Sequence, residues 1–261
     1  MDLSIITVTW NSAKQIAEQI RSVAAGAPEI SYEQVIIDNH SRDGTPDLIR
    51  QQFPQVRLVE LSRNRGFAYA NNIGAASTRG EYLLFLNPDM VVAPGSLDKL
   101  VRWLRARPKV GVAGVKLVDE QGQVDIKAGY KSPGPRRFPT LANQLAIVLK
   151  THHLFPSVLN RYLYRGFDVN QEQEVDSVRG AFMAVRRELV NKLGWAFDPR
   201  YFIWFEDVDL CREAKRLGYQ VRYTPVISCL DRVGTSFAKR NFFWKQRQFF
   251  RSMVKYFWKW R

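Results

Sequence analysis

The sequence has few cysteines, no long apolar run and no acidic residue after Asp231. Its two cysteines, Cys211 and Cys229, are too few for a disulfide framework and lack the close spacing of a metal site, so the simplest interpretation is two small, buried apolar side chains. No apolar stretch approaches the ~20 residues that a membrane-spanning helix requires. The first residues, MDLSIITVTWNS, lack the basic segment and cleavage site of a signal peptide. These absences predict a cytoplasmic protein that is soluble or peripheral to a membrane.

Negative charge is scarce, and the imbalance is greatest at the end of the sequence. The formal net charge of the 261 residues is +14, which favours anionic partners such as nucleic acid, acidic membranes or phosphorylated substrates. The residues that carry positive charge after Asp231 are Arg232, Lys239, Arg240, Lys245, Arg247, Arg251, Lys255, Lys259 and Arg261. The rest of the chain is only mildly basic, and its length suits one α/β domain with a large core.

Apolar runs typical of strands alternate with helical patterns over the first half of the chain. Strands are predicted at 3–8, 34–37, 56–61, 82–86 and 110–118, and helices at 12–25, 46–53, 67–77 and 97–107. This alternation predicts right-handed crossovers and an α/β fold with a mostly parallel, Rossmann-like sheet flanked by helices. After an irregular, Pro- and Gly-rich region at 119–175, strands are predicted at 177–185 and 220–226, with a helix between Phe205 and Gly218.

Acidic side chains follow two of the predicted strands. Asp38 comes directly after the second strand, and the stretch LLFLNPD carries a buried strand straight into Asn87, Pro88 and Asp89. Pro88 must end the hydrogen-bonded ladder because proline has no backbone N–H and a fixed φ. Ligands of parallel α/β sheets bind at the carboxyl ends of the strands. The sequence therefore predicts that Asp38 and Asp89 border a ligand cleft.

A third acidic group opens a helix in the stretch FEDVDL. Glu206 and Asp209 share one helix face at spacing i,i+3, whereas Asp207 points about 100° away from them. Acids in a first helical turn can simply complement the helix macrodipole. The preceding aromatic run YFIWF favours a partly dry setting instead, where burial raises the pKa of a carboxyl group toward the range of a general base.

Six stretches together resemble glycosyltransferase family 2, the inverting GT-A class, and in particular its bacterial rhamnosyltransferase-type members. They are SIITVTWNS, VIIDNHSRDGT, NRGFAYANNIGA, LLFLNPDM, GAFMAVRRELVNKLGWAFDPRYFIWFEDVDLCREAKRLGY and DRVGTS, and they follow the family's order. The resemblance implies a GT-A domain at 1–240, with a nucleotide-sugar half at 1–118 and an acceptor and catalytic half at 119–240. An amphipathic basic and aromatic helix at 241–261 follows.

The resemblance also implies roles for individual residues. Asp207 matches the catalytic base that takes the proton of the acceptor hydroxyl, and Glu206 is the second choice for the base or a group that orients Asp207. Asp89 and Asp231 match positions that hold a divalent cation, Mg²⁺ or Mn²⁺, beneath the donor diphosphate. The positions that match the nucleotide-sugar pocket are Thr7, Asn11, Asp38, Asn64, Gly66, Asn71 and Asn87.

Two positions depart from the family's pattern. Asn87 replaces the first acid of a D-x-D motif with a weaker neutral ligand. Asp231 stands where many relatives carry the His of an H-x-x-G-x-S segment; an Asp still suits a hard cation, but the change also fits weak metal binding or lost activity. A catalytically silent glycan- or membrane-binding module is therefore the alternative to an active enzyme. A nucleotidyltransferase is disfavoured because no Gly-rich, Lys-containing loop follows the first strand.

The resemblance implies transfer of a sugar from a nucleotide sugar, dTDP-rhamnose or a UDP-sugar, to a glycan or polyprenyl-linked acceptor in cell-surface polysaccharide synthesis. The pattern after residue 241 bears on where this occurs: Arg247, Arg251, Lys255 and Lys259 recur on one helix side, and aromatic residues gather on the other. Either this helix packs on the domain, or it lies on anionic lipid. The aromatic density favours contact with the inner face of the plasma membrane. Interleaved aromatic and basic residues also suit nucleic acid, but the catalytic motifs do not support that partner.

Overall fold

The computed structural model describes residues 1–124, 134–149, 151, 156–164, 166–232 and 241–261. The strands in these residues are β1 (Leu3–Thr9), β2 (Tyr32–Asp38), β3 (Arg57–Glu60), β4 (Tyr82–Leu86), β5 (Met90–Val92), β6 (Val110–Val118), β7 (Gln173–Glu174), β8 (Phe182–Arg186) and β9 (Gln220–Asp231). The helices are α1 (Ile16–Gly26), α2 (Thr45–Gln52), α3 (Phe67–Ala76), α4 (Ser96–Arg105), α5 (Leu141–Val148), α6 (Pro156–Tyr162), α7 (Arg187–Leu193), α8 (Glu206–Arg216) and α9 (Phe242–Lys259).

The strands form one sheet in the order β3-β2-β1-β4-β8-β6-β9-β5, and β7 pairs with β9. Strands β3, β2, β1 and β4 are parallel neighbours, as the alternation of strands and helices predicts. The second half of the chain differs, because β8 lies antiparallel between β4 and β6. The sheet is therefore mixed, and β8 brings the segment that precedes it to the edge where β4 ends.

The core covers both faces of the sheet, which explains the continuous apolar run of β4. Successive side chains of a strand point to opposite faces. Leu83 and Phe85 belong to the cluster that packs beneath α8, whereas Leu84 and Leu86 belong to the cluster that packs beneath α4. All four side chains are fully or almost fully buried. A strand covered on both faces needs apolar residues at every position.

Strand β9 is longer than the predicted strand at 220–226, which stops one residue after Pro225. Thr224 pairs with Val115 of β6, and the next pair joins Ser228 to the residue after Val115. The intervening residues, Pro225 among them, form a bulge in the ladder. A bulge accommodates proline because the missing N–H is not required there. The strand then resumes and continues to Asp231.

Helix α9 packs one face on the rest of the protein. Ser252, Met253 and Tyr256 are buried, and the Tyr256 ring lies 5.4 Å from the ring of Phe205, which directly precedes α8. The Ser252 hydroxyl donates a hydrogen bond to the carbonyl of Ile203. The structure therefore supports the interpretation of a helix packed on the domain for this face of α9.

The end of α9 is anchored by ion pairs. The Nζ atom of Lys259 lies 3.0 Å from Asp198, 2.7 Å from Asp209 and 2.9 Å from Glu213. The indole N–H of Trp260 donates a hydrogen bond of 2.7 Å to Asp209. The sequence spacing indicates that Lys259 is one of a row of solvated cations. In the structure it is instead the centre of a largely buried network that ties α9 to α8.

Candidate active site

The turn after β4 places Asn87 and Asp89 at the edge of the sheet. The backbone N–H of Asn87 donates to the carbonyl of Ala181 at 2.9 Å, and the N–H of Met90 donates to the carbonyl of Asn87 at 3.2 Å. The strand ends before Pro88, as the sequence predicts. Because the turn is held on both sides, the Asp89 carboxylate has a fixed position in a setting where it is only 9% exposed.

Asp89 and Asp231 lie side by side across two antiparallel strands. Met90 of β5 pairs with Asp231 at the end of β9, so Asp89 is next to Asp231. Burial, together with the negative charge of Asp231, raises the pKa of Asp89 to about 6. Burial also raises the pKa of Asp231, although the Arg179 guanidinium opposes that rise. The pair is thus short of positive charge.

The donor atoms of this pair fit a divalent cation. The Oδ1 atom of Asp89 is buried and has no hydrogen-bond partner within the described residues, although buried polar groups are normally paired. Carboxylate oxygens are the ligands that Mg²⁺ and Mn²⁺ prefer. No three His, Cys, Asp or Glu side chains in the described ranges are grouped to hold a metal by themselves. Two carboxylates suit a cation such as Mg²⁺, which usually takes phosphate and water as its other ligands.

Arg179 is a site residue that the sequence analysis did not identify. One of its terminal nitrogens donates a hydrogen bond of 3.0 Å to Oδ2 of Asp231. Its charge also interacts with the charges of Asp89 and Asp207, and burial lowers its pKa. The one sequence signal is a charged residue two positions before the apolar run AFMAV, and that signal does not reveal which carboxylates Arg179 contacts.

One short segment before β8 connects the two sides of the site. Arg179 donates to Asp231, as above, and the next backbone N–H, that of Gly180, donates to Oδ2 of Asp207 at 3.0 Å. The carbonyl of Ala181 accepts the hydrogen bond from the turn that carries Asp89. The matched cation ligands and the matched base are therefore brought to the same edge of the sheet.

Asp207 is held in place and faces a cavity. Its Oδ1 atom accepts a hydrogen bond of 2.8 Å from the N–H of Val208, while Oδ2 accepts from Gly180. The cavity beside it has a volume of about 130 Å³ and combines polar, cationic and aromatic walls. The side chains that line it with Asp207 include Arg136, Gln144, Tyr162, Arg179, Trp204 and Phe249. A polar group bound in this cavity would lie next to a carboxylate whose orientation is already fixed.

Glu206 differs from Asp207 in spite of its adjacent position. Its side chain is buried, and its Oε2 atom has no hydrogen-bond partner within the described residues. Burial, with the added effect of the neighbouring Asp207 charge, raises the pKa of Glu206 well above its usual value. Glu206 also borders the cavity, but its buried carboxyl group lacks the two backbone hydrogen bonds that orient Asp207, so the geometry favours Asp207 as the base.

The backbone that leads into α8 is strained. Trp204 and Phe205 have φ values of 66° and 70°, in the left-handed region that bulky residues avoid, at a cost of about 1–3 kcal/mol each. Phe249 of α9 packs against both, with ring separations of 5.9 and 5.3 Å. Helix α9 therefore supports the turn that presents Asp207 to the cavity.

Asp38 organises the loop at the end of β2. Its Oδ1 atom accepts hydrogen bonds from the hydroxyls of Thr9 and Ser41, and its Oδ2 atom accepts from the N–H of Ser41. Asn11, with a φ of 54°, donates its N–H to the Ser41 hydroxyl and accepts from the N–H of Arg42. Asp38 and Asn11 thus meet at one loop.

Thr7 requires a correction. Its side chain is fully buried within β1, and its hydroxyl accepts a hydrogen bond of 2.9 Å from the side chain of Gln19. Thr7 therefore has no surface that a nucleotide could contact in this structure. The residue of β1 that bonds to Asp38 is Thr9, which lies two positions closer to the carboxyl end of the strand. The side chains of Thr7 and Thr9 lie on the same face.

Gly66 is required for a close approach between two segments. It has a φ of 89°, and a Cβ atom at this position would lie 2.4 Å from the carbonyl oxygen of Phe202. The side chains of Asn64 and Asn39 hydrogen-bond to its N–H and carbonyl, respectively. The close approach that Gly66 allows is therefore made, in the structure, to the aromatic run before α8.

Asn71 carries another unpaired acceptor. It is buried, its side-chain amide donates to the carbonyl of Phe67 at 3.0 Å, and its Oδ1 atom has no partner within the described residues. Asp89 and Glu206 share this property. All three were assigned to the site from the sequence, and unpaired buried acceptors are expected where a ligand or ion completes the hydrogen bonding.

Known sequences resemble this chain across most of its length. Residues 4–194 match the sequence model of the family described as Glycosyl transferase family 2. The N-acetylglucosaminyl-diphospho-decaprenol L-rhamnosyltransferase of Mycobacterium tuberculosis is 28% identical over 235 residues, which cover 85% of this chain and 73% of that protein. The rhamnosyltransferase WbbL of Escherichia coli is 24% identical over 201 residues, covering 73% and 70% of the two chains.

A solved structure shares the fold. The mannosyltransferase PcManGT of Pyrobaculum calidifontis, in complex with GDP-Man and Mn²⁺, superposes with a TM-score of 0.62 at 23% identity, over 94% of this chain. The present chain spans 60% of the length of that protein. The likeness shows a GT-A fold, in agreement with the sheet and helices described above. Because the family match covers well over half of the residues, the chain belongs to glycosyl transferase family 2 and is a glycosyltransferase.

Proposed function

We propose that the protein is an inverting glycosyltransferase that depends on a divalent cation and transfers a sugar from a nucleotide sugar to a lipid-linked glycan. The observation that carries this proposal is the segment before β8, in which Arg179 bonds to Asp231 and Gly180 bonds to Asp207. A diphosphate held on the Asp231 side and a hydroxyl held on the Asp207 side would be neighbours at one sheet edge.

Asp207 is the proposed base. It takes the proton of the acceptor hydroxyl as that oxygen forms a bond to the anomeric carbon and the bond from that carbon to the donor phosphate oxygen breaks. The nucleoside diphosphate leaves with the electron pair of the broken bond. Attack from the face opposite the leaving group inverts the configuration. The backbone N–H groups of Gly180 and Val208 fix the carboxylate for this transfer, which typically contributes ~10²–10⁴-fold to the rate.

Positive charge is needed where the diphosphate leaves. Asp89 and Asp231 would hold a divalent cation, and the cation, when bound, would stabilise the negative charge that develops on the diphosphate. Arg179 places a second positive charge at the same edge, where a fixed cation contributes to the same stabilisation. Asn87, at the first position of the turn, contributes a neutral polar side chain.

The nucleotide is proposed to bind along the ends of β1 and β2. Asp38 is held by Thr9 and Ser41, and a carboxylate retains acceptor positions for the ring N–H of a pyrimidine base. Asn11 borders the same loop, and Asn64, Gly66 and Asn71 belong to the segment beside it. Relatives named as rhamnosyltransferases support dTDP-rhamnose as the donor, with a UDP-sugar as the second candidate.

The acceptor is proposed to enter the cavity beside Asp207. Its walls combine aromatic faces, which suit sugar rings, with the positive charges of Arg136 and Arg179, which suit a phosphate-linked lipid. A decaprenol-linked acceptor appears in the name of the mycobacterial relative. None of the helices within the described residues combines the length and the apolar composition needed to cross a bilayer. We propose that the protein acts at the inner face of the plasma membrane and contacts it through α9.

A donor panel tests this proposal. Thermal unfolding is measured with dTDP-rhamnose, UDP-sugars and GDP-mannose, each with Mn²⁺ and with EDTA. The correct donor at 100 times its dissociation constant adds about 2.7 kcal/mol to the free energy of unfolding. Mn²⁺-dependent release of nucleoside diphosphate in the presence of acceptor supports the enzyme. Stabilisation by a glycan alone, without nucleotide binding or release, supports the silent binding module instead.

A further inference from the structure

Exposed apolar side chains are concentrated on two helices. Of the ten large hydrophobic residues that are exposed in the described part of the chain, eight lie on α9 or on α5 and the residue that follows it. They are Leu141, Leu145, Leu149, Phe242, Phe243, Phe250, Val254 and Trp258. Single exposed apolar residues are ordinary, but a contiguous group marks an interaction surface.

Helix α9 is apolar on two sides. Its inner face packs on the protein through Met253 and Tyr256. A second row, formed by Phe243, Phe250, Val254 and Trp258 at spacings of seven, four and four residues, lies on the opposite side of the helix. These four side chains are 50–78% exposed. Packing on the domain therefore accounts for the inner face and leaves this outer row without a role.

Basic residues run beside the outer row. Arg247, Arg251 and Lys255 recur every four residues and are exposed, and α9 contains no acidic residue. Lys259, in contrast, lies on the inner face and is paired with carboxylates. The Lys255 ammonium group donates a hydrogen bond to the carbonyl of Arg200, whereas Arg247 and Arg251 flank the outer row as exposed side chains. A row of Phe and Trp beside exposed arginines is the composition of a helix that lies in the surface of an anionic membrane. The same charges would repel a second copy of this helix.

The two helices border the same cavity. Gln144 of α5 and Phe249 of α9 both line the cavity beside Asp207, and the exposed leucines of the α5 segment recur at every fourth position, on one side of the helix. We infer that the outer faces of α5 and α9 form one lipid-docking surface that holds the opening of the acceptor cavity against an anionic bilayer. This surface deepens the membrane contact that the proposed function assigns to α9, and what the membrane delivers to the cavity rests on the proposed glycosyl transfer.

The test is flotation of the full chain with vesicles of phosphatidylcholine alone or mixed with phosphatidylglycerol. The wild-type protein is expected to float with the anionic vesicles and to dissociate as salt is raised. Replacing Phe243, Phe250 and Trp258 together by Ser is expected to weaken the partition coefficient at least about tenfold, since each ring loses apolar contact with lipid. The matched control is Val226→Ser, which removes an exposed apolar residue of β9 and should leave flotation unchanged.

A second variant separates charge from apolar contact. Arg247→Gln with Arg251→Gln should reduce binding to the anionic vesicles and leave the weaker binding to neutral vesicles unaltered, because only the anionic surface attracts the two cations. Both multiple variants should unfold at the wild-type temperature, since the replaced side chains are exposed. This control distinguishes lost docking from lost folding.

The inference is overturned if the wild-type protein ignores anionic vesicles, or if the triple Ser variant floats as well as the wild type. Light scattering that shows a dimer abolished by the same variant, without vesicle binding, would assign the surface to a second copy and also overturn it. Release of nucleoside diphosphate with a soluble acceptor, in the absence of vesicles, should be equal in the wild type and the Ser variant. Failure of that release would count against the proposed function and leave the docking result intact.

Discussion

Two groups of buried carboxylates adjoin α8, and the protein treats them in opposite ways. The paired cluster consists of Asp198, Asp209 and Glu213, and all three carboxylates contact Lys259. Trp260 adds a hydrogen bond to Asp209. Against the effect of burial, Arg200 and then Lys259 lower the pKa of Asp198, and Lys259 and then Arg216 lower the pKa of Glu213, whereas burial raises the pKa of Asp209. Each carboxylate of this cluster thus has a cationic partner, and the cluster serves to dock α9.

The open cluster consists of Asp89, Asp231 and Glu206. Burial raises the pKa of each, and Asp89 and Glu206 each keep one oxygen without a partner in the described residues. Of these three carboxylates, only Asp231 accepts a hydrogen bond from Arg179. A stable fold would gain from pairing these groups, so the deficit of positive charge indicates selection for a ligand that supplies it. Buried acids therefore separate into structural and functional groups by their partners and not by burial alone.

The largest expected effect is on catalysis at Asp207, the base beside the open cluster. Asp207→Asn keeps the shape of the side chain but removes the proton acceptor, so turnover should fall by ~10²–10⁴-fold. The amide can accept only one of the two backbone hydrogen bonds, so the unfolding temperature should fall slightly. Steady-state release of nucleoside diphosphate measures the loss. Glu206→Gln is the matched control, because it makes the same carboxyl-to-amide change at the adjacent residue, and it should retain most of the activity. Equal losses in both variants would contradict the assignment of the base.

Breaking the paired cluster should cost stability. Lys259→Met leaves the fully buried Asp209, together with Asp198 and Glu213, without its ammonium partner, and removing one member of a buried ion pair typically costs about 3–5 kcal/mol. Urea unfolding followed by circular dichroism gives the change in free energy. The control is Arg251→Met on the exposed side of α9, with an expected change within about 0.5 kcal/mol. An equally mild effect at Lys259 would show that the network does not dock α9.

Removing a negative charge from the open cluster should increase the stability of the metal-free protein. In Asp89→Asn the buried negative charge disappears. Because the pKa of Asp89 is about 6 in place of 3.8, its ionised side chain lowers the free energy of unfolding by up to about 3 kcal/mol at pH 7. The metal-free variant should therefore be more stable than the metal-free wild type, while stabilisation by Mn²⁺ is lost. A variant that is less stable than wild type without metal would contradict the charge deficit.

The pH dependence sharpens the same contrast. The pKa of Asp89 is higher in the folded protein than in the unfolded chain, so its protonation favours folding: the contribution is complete below pH 3.8 and is lost as the pH rises through about 6. Between pH 7 and pH 5 this group should add about 1 kcal/mol to the stability of the metal-free wild type relative to Asp89→Asn. Denaturant unfolding of both proteins in EDTA at the two pH values measures the difference, and parallel pH profiles would contradict it.

Much of the fold and part of the site could be read from the sequence because local rules governed them. The apolar run of β4 and the break at Pro88 follow from strand burial and from the missing N–H of proline. Helix α8 lies within the predicted helix between Phe205 and Gly218, and Gly218 has the positive φ expected after a helix. At these positions neighbours in the sequence are sufficient to determine the structure.

The features that the sequence did not predict depend on contacts between distant segments. Pro225 indicated the end of a strand, but a bulge against β6 let β9 continue and bring Asp231 to Asp89. Arg179 acquires its role only because β8 inserts beside β4. The spacing of Lys259 indicated a solvated cation, and only the packing of α9 revealed its three partners. The last segment of the matched DRVGTS motif, residues 233–236, lies outside the described residues.

The most direct test of the central claim measures cation and nucleotide binding separately from transfer. Electron paramagnetic resonance of free Mn²⁺, titrated with protein and with dTDP or UDP, is compared for the wild type, Asp89→Asn and Asp207→Asn. The structure predicts that Asp207→Asn binds Mn²⁺ and nucleoside diphosphate as the wild type does but does not transfer sugar, whereas Asp89→Asn loses the nucleotide-dependent binding of Mn²⁺. Loss of that binding in Asp207→Asn and its retention in Asp89→Asn would contradict the division of one sheet edge into a cation side and a base side.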